Sequence, residues 1–201
     1  MRPALVALLA CVALVGCGGE DERAPRPGRG DLDRRLIEAA YDNDVAAARR
    51  LIADGADVNA KDVTQQSAYL IATSEVGDDP RLLELTLANG ARVDDKDSYD
   101  GTGLIRAAER GYPRIVRRLL EAGIDRDHVN RLGWTALHEA IVLGDGGPAH
   151  VATVRALVRG GVDVAVPDGD GVTALAHAEE RGFDAVVRIL RAADARGEPA
   201  P

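Results

Sequence analysis

The chain has 201 residues, enough for one domain with a substantial core; 46 % are hydrophobic, only six are aromatic, and the formal charge is -8. Ala, Val and Leu dominate, which suits thin, closely stacked helices better than one thick globular centre. The acidic balance argues against nucleic acid as a partner, because phosphate neutralisation needs clustered Lys and Arg, and Lys61 and Lys96 are the only lysines.

The first segment, residues 1–16, has a charged start (Met1-Arg2), an almost wholly apolar run from Pro3 to Val15, and the small residue Gly16. This pattern predicts a secretory signal peptide, and the run is too short for a bilayer, which needs about 20 residues. Cys11 and Cys17 are the only cysteines, so the body of the protein forms no disulfide. Leu14-Val15-Gly16-Cys17 resembles a bacterial lipobox. That resemblance implies cleavage before Cys17, acylation of its thiol, and lipid anchoring on the extracytoplasmic face of the cell membrane. The alternative is an ordinary signal peptide cut near Gly18 or Gly19. Residues 17–30 contain Pro25, Pro27 and several glycines and have Ala24 as their one aliphatic residue after Cys17. They read as a disordered tether reaching roughly 40 Å.

From Asp31 onward the chain is periodic. Gly55, Gly90, Gly123 and Gly161 are each followed, 12 residues later, by a hydroxyl residue: Ser67, Thr102, Thr135 and Thr173. The glycines themselves are 35, 33 and 38 residues apart, so all variation falls in the other half of the unit. A connector of constant length alternating with a segment that tolerates insertions predicts a repeat solenoid. The third unit is the clearest. Thr102 is a helix N-cap; Leu104, Ala107 and Ala108 form one narrow apolar face; Gly111 ends that helix. Ile115, Val116, Leu119 and Leu120 line a second helix that Gly123 closes. The second and fourth units carry two and five extra residues, assigned to the turns at 76–80 and 144–148. The first unit has Arg34 where a cap belongs and Asn43 where a turn glycine belongs. The last has Arg191 and Asp194 at apolar and glycine positions. Such polar replacements mark capping units. The prediction is an all-α solenoid of about five helix pairs over residues 31–195, with a disordered tail at 196–201.

Thr135-Ala-Leu-His-Glu-Ala140 and Gly55-Ala-Asp-Val-Asn-Ala60 closely resemble the motifs of the ankyrin repeat family, and Thr173-Ala-Leu matches in part. The departures are Gln65 and Asp100 in place of a hairpin glycine, and Leu70 and Ile105 in place of the motif histidine. The resemblance implies helix–turn–helix units joined by hairpin loops, and a capping role for His138.

No catalytic constellation is assembled by the sequence. His128, His150 and His177 lack metal-ligand spacing, and Ser67, Ser74 and Ser98 have no histidine in their units. Asp168-Gly-Asp170-Gly171 lacks the remaining ligands of a calcium loop. The acidic group Asp94, Asp95, Asp97 and Asp100 is the better metal candidate, though hairpin tips are commonly acidic. No metal or cofactor is expected. What remains is binding. In a stack of this family the hairpin tips and first helices form a concave protein-binding surface, which here comprises Gln66, Ser98, Tyr99, Arg131, Leu132 and Trp134 on hairpins. Val63 and Thr64 belong to it too, and Ser74, Glu75, Glu109, Arg110, Val142 and Leu143 join it from helices. Tyr99 and Trp134 are the expected anchors, although Trp134 equally fits a role covering the neighbouring hairpin. The reading is a monomeric, non-enzymatic, membrane-anchored scaffold with a protein partner. An enzyme-neutralising inhibitor or a calcium-dependent module are the alternatives.

Overall fold

The computed structural model describes residues 28–195, so the leader, Cys17, most of the tether and the tail lie outside the described residues. Ten α-helices follow in five antiparallel pairs: α1 (Arg29–Tyr41) with α2 (Val45–Ala53), α3 (Ala68–Ser74) with α4 (Arg81–Ala88), α5 (Gly103–Glu109) with α6 (Pro113–Glu121), α7 (Ala136–Val142) with α8 (Pro148–Arg159), and α9 (Ala174–Glu180) with α10 (Asp184–Asp194). Odd-numbered helices pack on one another in an inner row and even-numbered helices in an outer row. No β-strand forms among the described residues; isolated bridges at Lys96–Thr102 and Pro167–Thr173 mark the feet of two hairpins.

The inner row is thin because its contacts are alanines. Ala68, Ala72, Ala107, Ala108, Ala136, Ala140, Ala174 and Ala178 are all at most 1 % exposed, which lets successive helix axes approach closely. Larger aliphatics (Leu82, Leu83, Ile115, Leu119, Leu157 and Leu190) fill the space between the rows. Ser67, Thr102 and Thr173 each accept a hydrogen bond from a first-turn backbone N–H, as the 12-residue interval requires. Thr135 adds a full capping box with His138. Each such cap contributes about 1 kcal/mol.

Three local features differ from expectation. The first helix starts at Arg29, inside the segment read as tether, and runs straight through Arg34. Arg34 braces it through Asp31 (2.8 Å) and Glu38 (2.6 Å). The insertion of the fourth unit is not all turn: α8 is 12 residues long against nine for α6. Pro148 at its first position, where a missing N–H costs nothing, lets the extra residues become an added turn of helix. The third difference is that both insertions reach the next unit. Asp78 Oδ1 accepts from the backbone N–H groups of Arg114 (2.8 Å) and Ile115 (3.0 Å), capping α6, which has no side-chain cap of its own. In the fourth unit, the carbonyl of Gly144 accepts from Arg181 (3.1 Å), and a Cβ on Gly146 would sit 2.5 Å from the Phe183 ring.

Asn43 adopts the expected left-handed conformation (φ 52°). At the hairpin tips Gly133 and Gly171 have φ 80°, and Gln65 (φ 65°) and Asp100 (φ 63°) occupy the same backbone region despite their Cβ atoms. The two departures from the family motif therefore leave the hairpin shape intact and strain two residues instead. Asp100 uses its side chain on Lys96 (3.2 Å); Gln65 is exposed. Replacing Gln65 with Gly is expected to raise unfolding stability by up to about 1 kcal/mol, the relief of strain less the added chain entropy. Urea denaturation measures it, and a destabilised variant would contradict the strain.

Candidate functional site

Each hairpin is held by one Asx residue, seven positions after the closing glycine. Asp62, Asp97, Asn130 and Asp168 accept from the backbone N–H two and four residues ahead, at 2.8 to 3.0 Å. Their own N–H donates to the carbonyl four residues ahead, at 2.9 to 3.0 Å. This clamp turns the tip and leaves the side chain of the residue two positions ahead, whose N–H it holds, on the outside. Tyr99 and Leu132 are those outward residues in the third and fourth units, 66 % and 55 % exposed.

A second contact ties three of the four tips to their inner helices. Four residues after the helix cap stand Arg106, Glu139 and His177, each bonded to its own clamp residue nine positions back. Arg106 Nη1 donates to Asp97 Oδ2 (2.9 Å), Asn130 Nδ2 donates to Glu139 Oε1 (2.7 Å), and His177 Nε2 lies 2.7 Å from Asp168 Oδ2. The contact with His177 and two backbone N–H groups hold the Asp168 carboxyl down at about 2. The second unit has Ile71 at this position, and Arg106 reaches across from the third: its guanidinium also donates to Ser74 Oγ (2.6 Å), Gln66 Oε1 (3.1 Å) and Glu75 Oε1 (3.2 Å). Arg110 approaches the same Glu75 oxygen (3.7 Å).

Glu139 is different. It is 4 % exposed, and its Oε2 has no hydrogen-bond partner among the described residues. Burial, reinforced by the charge of Glu109, pushes its carboxyl up to about 7. It lines a cavity of about 200 Å³ together with Tyr99, Glu109, Leu132 and Leu143. A larger cleft of about 670 Å³ lies between α6 and α8 in the outer row, where Arg117, Arg155 and Arg159 are exposed.

The residues expected to bind a partner fall into three groups. Tyr99, Leu132 and Glu109 meet around the cavity. Gln66, Glu75 and Arg110 gather about Arg106, and Ser74, expected at the surface, is buried beneath it as an acceptor. Ser98 and Arg131 pair with each other: Arg131 Nη1 donates to the Ser98 carbonyl (2.8 Å) and its backbone N–H to the Tyr99 carbonyl (3.2 Å). Trp134 is half-buried at the base of its hairpin and does not line the cavity. The acidic group is not drawn together. Asp94 accepts from the Asp125 N–H (2.9 Å), Asp95 pairs with Lys61 (2.9 Å), Asp97 with Arg106 and Asp100 with Lys96. Among the described residues no cluster of three or more His, Cys, Asp or Glu side chains is placed to hold a metal ion.

His138 does what its motif implies. Its Nδ1 accepts from the Thr135 hydroxyl (2.9 Å) and backbone N–H (3.4 Å), and its Nε2 donates to the Val172 carbonyl of the next hairpin (3.3 Å). Burial lowers its pKa and keeps it neutral. A family model described as ankyrin repeats (3 copies) matches residues 70–166. The ankyrin repeat protein YahD of Escherichia coli strain K12 is 38 % identical over 186 residues, 92 % of this chain and 88 % of that protein. The chain belongs to the ankyrin repeat family. A crystal structure of an ankyrin repeat domain from Acinetobacter baumannii AYE superposes with a TM-score of 0.74 at 43 % identity, covering 79 % of this chain and 80 % of that one. Ankyrin repeat and SOCS box protein 6 of Homo sapiens is 33 % identical over 146 residues, 71 % of this chain but 34 % of that protein. Ankyrin repeats are protein–protein interaction modules, and that coarse function comes with membership.

Sequence reasoning overlooked Arg106, Asn130 and Glu139 as parts of this face. The signal was present: one register of the ankyrin inner helix reads Ile71, Arg106, Glu139, His177. Charged residues there stand where the unit's own hairpin must meet them.

Glu139 predicts a pH dependence. An acid whose pKa rises from 4.5 to about 7 on folding keeps its proton longer in the native state. Its contribution therefore costs nothing below pH 4.5, grows as pH rises through 7, and levels off above at about 3 kcal/mol. Neutral His138 acts in the opposite sense over part of that range, so the difference between two proteins isolates the effect. Relative to Glu139→Gln, the natural chain should lose stability between pH 5 and pH 8. Parallel denaturation curves across that range would contradict the burial of an ionisable carboxyl.

Proposed function

We propose that this ankyrin repeat protein is a non-enzymatic scaffold, anchored to the bacterial cell envelope by acylated Cys17, that binds a protein partner on the concave face of its hairpins. The observation that carries the binding reading is the cluster of exposed Tyr99, Leu132 and Leu143 around a cavity. Isolated exposed apolar residues are ordinary. Three that converge on a cavity, on a surface of repeated pitch, suit a docking site with an aromatic anchor. Tyr99 supplies that anchor, and Leu132 and Leu143 its apolar surround. Arg131, Ser98, Arg110 and Glu75 form a polar rim that favours one partner over another through charge. The half-buried Trp134 supports the fourth hairpin and offers an edge to the partner.

The anchor is read from the lipobox alone. Among the described residues no helix is long and apolar enough to cross a membrane, so attachment on this reading depends on the lipid. Two or three acyl chains hold a protein stably where one is marginal.

Cys17→Ser is expected to move the protein from the membrane fraction to the soluble fraction and to abolish labelling by a palmitate analogue; unchanged fractionation would overturn the anchor. For the face, crosslinking and pull-down from native envelopes should recover a partner. Tyr99→Ala combined with Trp134→Ala should then weaken its affinity by about 2 kcal/mol or more while the unfolding transition stays cooperative. Undiminished affinity in the folded double variant would place the contact elsewhere.

A further inference from the structure

The three polar contacts between hairpin and inner helix do not share one polarity. In the third and fifth units a carboxylate on the hairpin meets a nitrogen donor on the helix: Asp97 with Arg106, Asp168 with His177. The fourth unit inverts the arrangement. Asn130 on the hairpin donates to Glu139 on the helix. An amide gives one N–H to one carboxylate oxygen, whereas an ionised carboxylate offers about four acceptor positions. Glu139 Oε2 is thus left buried with no hydrogen-bond partner among the described residues, and the Glu139 side chain lines the cavity. Glu109 and Asp97 border the same space, and the cation that also borders it, Arg106, is already bonded to Asp97, Ser74, Gln66 and Glu75. Asp97 is thus already paired, and the two further carboxylates, Glu109 and Glu139, face a guanidinium whose donors are engaged elsewhere. The mouth is apolar and aromatic, formed by Tyr99, Leu132 and Leu143.

We propose that this cavity receives one arginine or lysine side chain of the partner, whose cationic head bonds to Glu139 Oε2 and Glu109. The inference rests on the scaffold reading and adds the chemistry of what docks. Long cationic side chains bury an alkyl stem against apolar surface and keep the head for polar contact, which matches an apolar mouth over an acidic floor. The Tyr99 ring adds cation–π attraction at the entrance. The volume, about 200 Å³, suits a single side chain; drug-sized ligands occupy about 300–1,000 Å³. An anionic group would be repelled by Glu109 and Glu139, and an apolar one would leave the Glu139 oxygen unsatisfied. A cation gives it the partner that Arg106 and His177 give to the clamp residues of the neighbouring units. Arginine fits best, because its planar fork can reach two carboxylates at once.

The test is a chemical-shift titration of the 15N-labelled full chain with N-acetyl-arginine methylamide, beside the uncharged N-acetyl-norleucine methylamide. The arginine compound should give saturable shifts at the amides of Tyr99, Gly101, Leu132 and Leu143, and the norleucine compound none. Glu139→Gln keeps an oxygen for Asn130, so the stack should stay folded; it should weaken the arginine titration about tenfold. Glu109→Gln should weaken it less. Equal responses to the two compounds, or an undiminished response in folded Glu139→Gln, overturn the cation site. Capture of the envelope partner separates this proposal from the scaffold reading. Unchanged capture by Glu139→Gln, with no arginine titration in the natural chain, overturns the cation site and leaves the scaffold standing. A normal arginine titration with no partner captured overturns the scaffold alone.

Discussion

The interaction on which the rest of the structure depends is the Asx clamp seven residues after each closing glycine. One side-chain oxygen of Asp62, Asp97, Asn130 or Asp168 holds two backbone N–H groups, and the backbone of the same residue closes the hairpin. Between units runs a ladder of the same kind. Asp33, Asn59, Asp94 and Asp127 each accept from the backbone N–H of a residue in the next unit: Asp57, Arg92, Asp125 and Asp163. Insertion of one residue between glycine and cap would break both sets and leave peptide N–H groups unpaired. That is the physical reason the 12-residue interval is constant while the glycine-to-glycine distance is not. Each bond contributes about 1 kcal/mol net, and because every unit shares them with its neighbour, the hairpins register as a row.

The other edge of the solenoid carries no such constraint, and the chain uses that freedom. The loops at 75–80 and 143–147 are longer than the turns of the remaining pairs, yet they are not idle. Asp78 caps the helix of the unit that follows, and the Gly144–Gly147 loop takes a hydrogen bond from Arg181 and packs under Phe183. Units are therefore joined at three levels: hairpin ladder, alanine-lined inner row, and these edge caps. A repeat protein whose stability is a sum of unit and interface terms gains most from such shared contacts, because no unit buries enough surface alone.

The binding face follows from the same geometry. Once the clamp is formed, the helix position nine residues on stands beside the hairpin, and in three of the four units a polar residue there bonds the clamp side chain. Arg106, Glu139 and His177 do so with different charges. The scaffold thus keeps its shape while the polarity beneath the hairpins changes from unit to unit. The inversion at Glu139 gives the fourth unit a buried acceptor without a partner among the described residues, beside a cavity that the exposed tip residues Tyr99 and Leu132 also line.

The linear sequence by itself determined the architecture. Glycine at 55, 90, 123 and 161, a hydroxyl cap 12 residues later and apolar stripes between them are local demands of helix ends and helix faces, so they can be read one segment at a time. His138 was legible for the same reason, since its main partner is three residues away. The tip residues Tyr99 and Leu132 were legible as well, because a hairpin of known length points its middle outward. Contacts that cross from unit to unit could be decided only by tertiary structure. Ser74, placed at the surface by its helix position, is covered by Arg106 from the next unit, 32 residues on. The four aspartates between Asp94 and Asp100 look like one cluster along the chain, yet each turns to a different partner. Glu139 passes as one more motif residue until Asn130, Glu109 and the walls of the cavity enclose it. Helix caps and stripes act within about a dozen residues; burial, desolvation and the pairing of charges depend on what the rest of the stack brings alongside.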